Sequence, residues 1–157
     1  MTYSDSSIAF PHVPEPPTIL IVENDSGLRN LLKSTLETAG YPCEIVKNGQ
    51  EALSFIHQHS STPLLILSDF QMPKMDGLQL LQTLQKNPKT RVIPFILSTG
   101  NLSVSLRKQA MRDGALAILP KPYTQLELLQ ILNRAIASPD EISVLSENLV
   151  VVEERIS

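Results

Sequence analysis

Asp69 ends an apolar run, Leu64-Leu65-Ile66-Leu67-Ser68, and a carboxylate so placed can serve as a nucleophile or as an oxygen ligand. Three other apolar runs end in the same manner. Ile19 to Val22 leads into Glu23-Asn24-Asp25, Phe95 to Leu97 into Ser98-Thr99, and Ala115 to Leu119 into Pro120-Lys121-Pro122. If these runs are parallel strands of one sheet, their carboxyl ends share one edge, and ligands of open α/β sheets bind in the crevice outside it. Taken singly, the residues are ordinary: a strand-end Asp commonly caps a turn or helix, and a loop Lys is commonly solvated. Complementary groups on four of five strand ends argue for one site.

Carboxylate and amide oxygens on adjacent strand ends, joined by a backbone carbonyl from the next loop, form the hard oxygen set that Mg²⁺ accepts. A divalent ion there neutralises phosphoryl oxygens and aligns a transferring group with a carboxylate nucleophile, which is Asp69 by position. Lys121 supplies a positive charge for another phosphoryl oxygen. Thr99 supplies a hydroxyl that can report whether the group is present.

The elements that must position these groups alternate in kind. Short apolar runs are separated by stretches of helical period, the pattern of βαβ units around a parallel sheet. Leu28, Leu31, Leu32, Thr35, Leu36 and Ala39 mark the first helix, stopped by Gly40. Cys43 to Val46 reads as a second strand, and Asn48-Gly49 as a turn before a helix carrying Ala52, Leu53, Phe55 and Ile56. Leu78 to Leu84 is a third helix. Leu102, Leu106, Ala110 and Met111 mark a fourth, ended by Asp113-Gly114, and Leu126, Leu129, Leu132 and Ile136 a fifth; all these stripes are read as core. The second strand ends without chemistry, which suits a sheet edge. The expected fold is therefore α/β: a five-stranded parallel sheet, order 2-1-3-4-5, flanked by five helices in the flavodoxin-like manner.

The 157 residues suit one such domain plus tails. Residues 1–17, with Pro11, Pro14, Pro16 and Pro17, read as a flexible arm, and 18–137 as the folded domain. A net charge of −3 gives nucleic acid no electrostatic footprint. The start of the chain lacks the pattern of a secretory signal, no run is long enough to insert in a membrane, and the single Cys43 reads as a small buried hydrophobe, so a cytoplasmic setting is expected. His12, His57 and His59 have no metal-ligand company and read as surface residues.

From Thr18 to Ala137 the sequence resembles the receiver domain of two-component response regulators. The likeness rests on Ile19-Leu20-Ile21-Val22-Glu23-Asn24-Asp25, on Ser68-Asp69-Phe70-Gln71-Met72-Pro73-Lys74-Met75-Asp76-Gly77, on Ser98-Thr99-Gly100, and on Leu119-Pro120-Lys121-Pro122-Tyr123. It implies that Asp69 accepts a phosphoryl group from a phosphohistidine on a sensor histidine kinase or histidine phosphotransfer protein. It further implies Mg²⁺ held by Glu23, Asn24, Asp69 and the Gln71 carbonyl, Thr99 as switch hydroxyl, Lys121 as phosphate contact, and a cis Lys121-Pro122 bond. The module would be regulatory rather than an enzyme, catalysing only its own phosphorylation and dephosphorylation, and would signal through a downstream protein.

Two positions depart from the family pattern. Asn24 stands where the second acid of the pair is usual, which predicts weakened Mg²⁺ binding, with Asp25 either replacing it or capping the first helix. Ile118 stands where many receivers carry a mobile aromatic, so the switch would travel by backbone and packing shifts. Gln71 and Asn101 would flank the phosphoryl group and tune its hydrolysis, or simply hold their loops. Two competitors stay open. One is a degenerate receiver that binds partners without phosphorylation. The other is a phosphatase of the haloacid dehalogenase type, which expects a second aspartate where Gln71 stands.

Beyond the domain, Ser138-Pro139-Asp140-Glu141 has the features of a helix start. Ile142, Leu145, Leu149, Val152 and Ile156 then recur at steps of three and four, so residues 138–157 read as an amphipathic tail. That tail folds back on its own domain, frays, or joins a homodimer. The other dimer surface open to the chain is the face made by the fourth helix, fifth strand and fifth helix.

Overall fold

The computed structural model describes residues 17–137 apart from Ser60 and Leu102. Five strands alternate with five helices: β1 (Ile19–Val22), α1 (Ser26–Thr38), β2 (Cys43–Val46), α2 (Gly49–Gln58), β3 (Leu65–Asp69), α3 (Gly77–Gln85), β4 (Phe95–Thr99), α4 (Val104–Arg112), β5 (Ala117–Pro120) and α5 (Gln125–Ala137). The sheet order is β2-β1-β3-β4-β5 and every pairing is parallel. The chain reverses direction across the sheet between β1 and β3, so the loops after those two strands diverge and leave a crevice between them.

Alternation along the strands divides the core in two. Ile19, Ile21, Leu65, Leu67, Ile96 and Leu119 pack under α1 and α5, against Leu32, Leu36, Leu128, Ile131 and Leu132. Leu20, Val22, Ile66, Phe95, Leu97 and Ile118 pack on the other face with Ala52, Leu80, Leu81 and Ala110. Continuing the first register to the strand ends places Asp69, the last residue of β3, and Glu23 and Lys121, one step past β1 and β5, on the α1/α5 side of the sheet's carboxyl edge. Strand period alone therefore aims three distant residues in one direction.

Helix ends follow local chemistry. Asp25 caps α1, its Oδ1 accepting from the Leu28 amide at 2.9 Å. Gly40 and Gly114 adopt φ of 89° and 104° just past α1 and α4, where an L side chain would be strained. Asp76 and Gln79 form a reciprocal capping box at the start of α3.

The structure corrects several expectations. Asn48-Gly49 is a helix start rather than a turn, because the Asn48 side chain accepts from the Glu51 amide and Gly49 is the first residue of α2. A Cβ on Gly49 would lie 2.6 Å from Met75 Sδ, so a larger residue there would have to displace the Met75 side chain. Leu31, Met111 and Leu126 are not core: they are 51%, 40% and 65% exposed. A helix with apolar residues all along it offers overlapping stripes, and the sheet takes the one in α5 formed by Leu128, Ile131, Leu132 and Ala135. Cys43 is half-buried rather than enclosed. Leu102, His12, the arm before residue 17 and the tail after residue 137 lie outside the described residues.

Candidate functional site

Lys121 leaves β5 toward β1 and β3 and ends between two carboxylates. Its Nζ donates to Glu23 Oε1 at 2.9 Å and lies 3.0 Å from Asp69 Oδ1. Glu23 and Asp69 are almost fully buried, so without a cation between them each would hold an uncompensated charge in low dielectric. Lys121 supplies that charge.

The titration of Asp69, Lys121 and Tyr123 follows from this packing. Burial raises the Asp69 carboxyl, the hydrogen-bonded Glu23 raises it further, and Lys121 only partly opposes them, leaving it at about 6. Burial lowers Lys121, but its hydrogen bonds to Glu23 and Asp69 outweigh that effect and hold it above its ordinary value. The Tyr123 phenol is pushed upward by burial first and then by the fields of Glu23 and Asp69. Tyr123 is thus electrostatically part of the site. Sequence reading had placed it only within the Lys121-Pro122-Tyr123 run.

A cleft of about 340 Å³ opens over these groups, lined by Glu23, Asn24, Asp25, Leu28, Asp69, Gln71, Thr99, Gly100 and Lys121. Thr99 Oγ1 is buried at its margin and accepts from the Asn101 amide at 2.9 Å. The Lys121 amide in turn donates to the Thr99 carbonyl, tying the two strand ends together. Asn101 lies outside the lining; its Oδ1 accepts from the Ser103 amide, and Ser103 caps α4. The preceding hydroxyl, Ser98, is enclosed with no hydrogen-bond partner among the described residues, so of the two β4 hydroxyls only Thr99 borders the cleft. Ile118 is buried in the α2/α3/α4 side of the core.

Backbone contacts shape the rim. Arg29 Nη1 donates to the Glu23 carbonyl at 3.0 Å and the Asn24 carbonyl at 2.8 Å, pinning the loop that presents Asn24. The sequence signal for Arg29 was a lone arginine one turn into α1, indistinguishable from a solvated one. The Gly77 amide donates to the Phe70 carbonyl, and a Cβ on Gly77 would strike the Asp69 carbonyl oxygen. Lys121-Pro122 is cis.

The donor set suits Mg²⁺ in kind: two carboxylates, an amide oxygen and a backbone carbonyl, for an ion that keeps several waters. It is short of acid. Among the described residues no three His, Cys, Asp or Glu side chains are grouped closely enough to hold a metal ion, and Asn24 stands in place of a third acid.

Sequence comparison agrees with this geometry. The family profile described as the response regulator receiver domain matches residues 19–133. The chain belongs to that family. It is 36% identical over 124 residues to the DNA-binding transcriptional regulator NtrC of Salmonella typhimurium, covering 78% of this chain and 25% of NtrC. This chain thus spans about a quarter of that relative's length. It is 34% identical over 116 residues to an uncharacterized 14.6 kDa protein of Leptolyngbya boryana, covering 74% of this chain and 87% of that one. The receiver domain of the sensor histidine kinase PA1611 from Pseudomonas aeruginosa, solved with a magnesium ion in its active-site cleft, superposes with a TM-score of 0.70 at 27% identity. That match covers 79% of this chain and all of the other. The receiver is a regulatory module of two-component signalling, and no described helix is long and apolar enough to cross a membrane.

Proposed function

We propose that this receiver takes a phosphoryl group onto Asp69 from a phosphohistidine of a sensor histidine kinase or histidine phosphotransfer protein, and signals through contacts with a downstream protein. The observation that carries the reading is the convergence of Glu23, Asp69 and Lys121 within hydrogen-bonding distance beneath a cleft that Thr99 and Gln71 also line. An Asp69 oxygen attacks phosphorus; the new bond is oxygen to phosphorus, and the bond broken is phosphorus to the imidazole nitrogen. With its carboxyl at about 6, Asp69 is mostly ionised at neutral pH and able to attack. Formation of the acyl phosphate removes the carboxylate's own charge and brings in anionic phosphoryl oxygens, so Lys121 exchanges one of its two carboxylate partners for a phosphoryl oxygen.

Glu23, Asn24, Asp69 and the Gln71 carbonyl would hold Mg²⁺, which when bound supplies charge neutralisation for the transferring group. Thr99, whose oxygen accepts from the Asn101 amide, would donate its hydroxyl proton to a phosphoryl oxygen. With Ile118 lacking a ring, the response passes through the Thr99 to Lys121 backbone bond and the Asn101 to Ser103 link at the start of α4. The reading places the chain in the cytoplasm, where its donors act.

Intact mass after incubation with acetyl phosphate tests this. One phosphoryl adduct is expected with Mg²⁺, far less without it, and none in Asp69→Asn. No adduct under any condition would favour a receiver that binds partners unphosphorylated. Sustained hydrolysis of general phosphomonoesters would favour the phosphatase.

A further inference from the structure

Ser98 is 3% exposed, and among the described residues its hydroxyl is the only fully enclosed side-chain oxygen or nitrogen without a hydrogen-bond partner. The other buried hydroxyls are engaged. Ser68 donates to the Asp69 carbonyl, Thr90 donates to the Leu84 carbonyl, and Thr99 accepts from the Asn101 amide. An enclosed hydroxyl left unpaired opposes folding, whereas a methyl group in its place would not.

Strand register shows what Ser98 faces. Ile96 packs in the α1/α5 half of the core, so Ser98, two residues on, points to the same side of the sheet. Its register partners are Asp69 on β3 and Leu119 on β5. Ser98 therefore stands beside Asp69 on one face, across an interstrand spacing of about 4.8 Å. Lys121 reaches Asp69 from β5 by crossing β4, and its Nζ meets Asp69 Oδ1 at 3.0 Å. While that pair stands, Oδ1 is already served.

We propose that Ser98 is a donor reserved for phosphorylated Asp69, its hydroxyl turning to the acyl carbonyl oxygen when Lys121 moves to the phosphoryl group. The inference rests on phosphotransfer to Asp69 and adds a positioning residue that governs how long the phosphoryl group stays. Attack by the second carboxylate oxygen leaves Oδ1 as the carbonyl oxygen, enclosed and parted from its lysine. Rotation about the Ser98 Cα–Cβ bond redirects the neighbouring hydroxyl. Hydrolysis then forms a bond from a water oxygen to phosphorus and breaks the bond from phosphorus to Asp69. The electron pair returns to the carboxylate, and the water protons pass to the released phosphate and to solvent. Negative charge builds on Oδ1 as that bond breaks, so the hydrogen bond from Ser98 strengthens in the transition state and shortens the life of the phosphoryl group. Ser98 does not line the cleft and leaves the attacking water untouched.

The test follows loss of the phosphoryl adduct by intact mass in the full chain, after acetyl phosphate is removed and with Mg²⁺ saturating. Ser98→Ala should unfold at or above the native temperature, yet lose its adduct more slowly by roughly two- to tenfold, the worth of one hydrogen bond. Ser98→Thr keeps the hydroxyl and should decay close to the native rate. With aspartate labelled with ¹³C at its side-chain carboxyl, the acyl carbonyl band in infrared difference spectra should move to higher wavenumber in Ser98→Ala and stay in place in Ser98→Thr. A native decay rate and an unmoved band in Ser98→Ala would overturn the inference while leaving Asp69 as the acceptor. Slower decay with an unmoved band, or equally slow decay in Ser98→Thr, would mean that only packing had changed and would overturn it too. Absence of any adduct on the native chain would remove the reading of Asp69 and this inference with it.

Discussion

The Lys121 ammonium bridges Glu23 and Asp69, at 2.9 Å and 3.0 Å, although 98 residues separate Lys121 from Glu23 in sequence. One cation thus compensates two buried carboxylates, and the site is arranged around it. Replacing Lys121 with Met keeps the stem and removes the charge. The expected cost is about 3 kcal/mol, because both carboxylates are left unpaired. Urea denaturation in EDTA measures it, and Lys121→Met/Asp69→Asn should recover part of the loss. Unchanged stability in the single variant would show that the bridge contributes nothing.

Stability should depend on pH through Asp69 with a definite sign. Its carboxyl titrates at about 6 in the fold against 3.8 in the free side chain, so the native state binds the proton more tightly. The contribution is fully present below the unfolded value and is lost as pH rises through about 6. In EDTA, the stability of native protein minus that of Asp69→Asn should therefore fall between pH 4 and pH 7. Lys121, raised above its ordinary 10.5, contributes stability present below that value and lost as pH climbs through the higher folded one. A flat or rising difference across the acid window would contradict the packing described for Asp69.

Asn24→Asp restores an acid at the end of β1. Mg²⁺ affinity should rise by roughly tenfold, since an anionic oxygen replaces a neutral one beside two existing carboxylates. Metal titration of the unphosphorylated protein by calorimetry is the measurement, and equal affinities would mean that Asn24 does not weaken the site. Arg29 pins the Asn24 carbonyl in both proteins, so the comparison isolates the side chain.

Gly77→Ala tests the support behind the acceptor. A Cβ there meets the Asp69 carbonyl and comes within 2.7 Å of Leu97 Cδ1, and backbone on one side with core on the other leaves little room to yield. We expect a loss of about 1–3 kcal/mol by thermal or urea unfolding, with displaced Asp69 and Phe70 amide resonances. A variant as stable as the native protein, with those resonances unmoved, would show that the loop accommodates the methyl group.

Strand ends were legible in the sequence because a strand's side chains alternate and its chemistry falls at one edge. Glu23, Asp69, Thr99 and Lys121 could be singled out from four runs, and the strand order from the one run that ended without chemistry. The helix faces were less legible. Leu126 and Leu129 fit the helical period as well as Leu128, Ile131 and Leu132 do, and only the sheet beneath selects between overlapping stripes. Asn48-Gly49 has the composition of a turn, and nothing local reveals that Gly49 opens a helix packed against Met75 from a different loop.

The sequence by itself determined the alternation of elements, the parallel sheet and which residue types stand at its carboxyl edge, since these depend on period and local preference. The tertiary structure decided that Lys121 lies between two carboxylates, that burial lifts Asp69 to about 6, that Asp25 caps α1, and that Arg29 and Gly77 hold the rim. Those facts depend on distances between segments far apart in the chain and on how much water the packed sheet excludes. No spacing along a sequence encodes either.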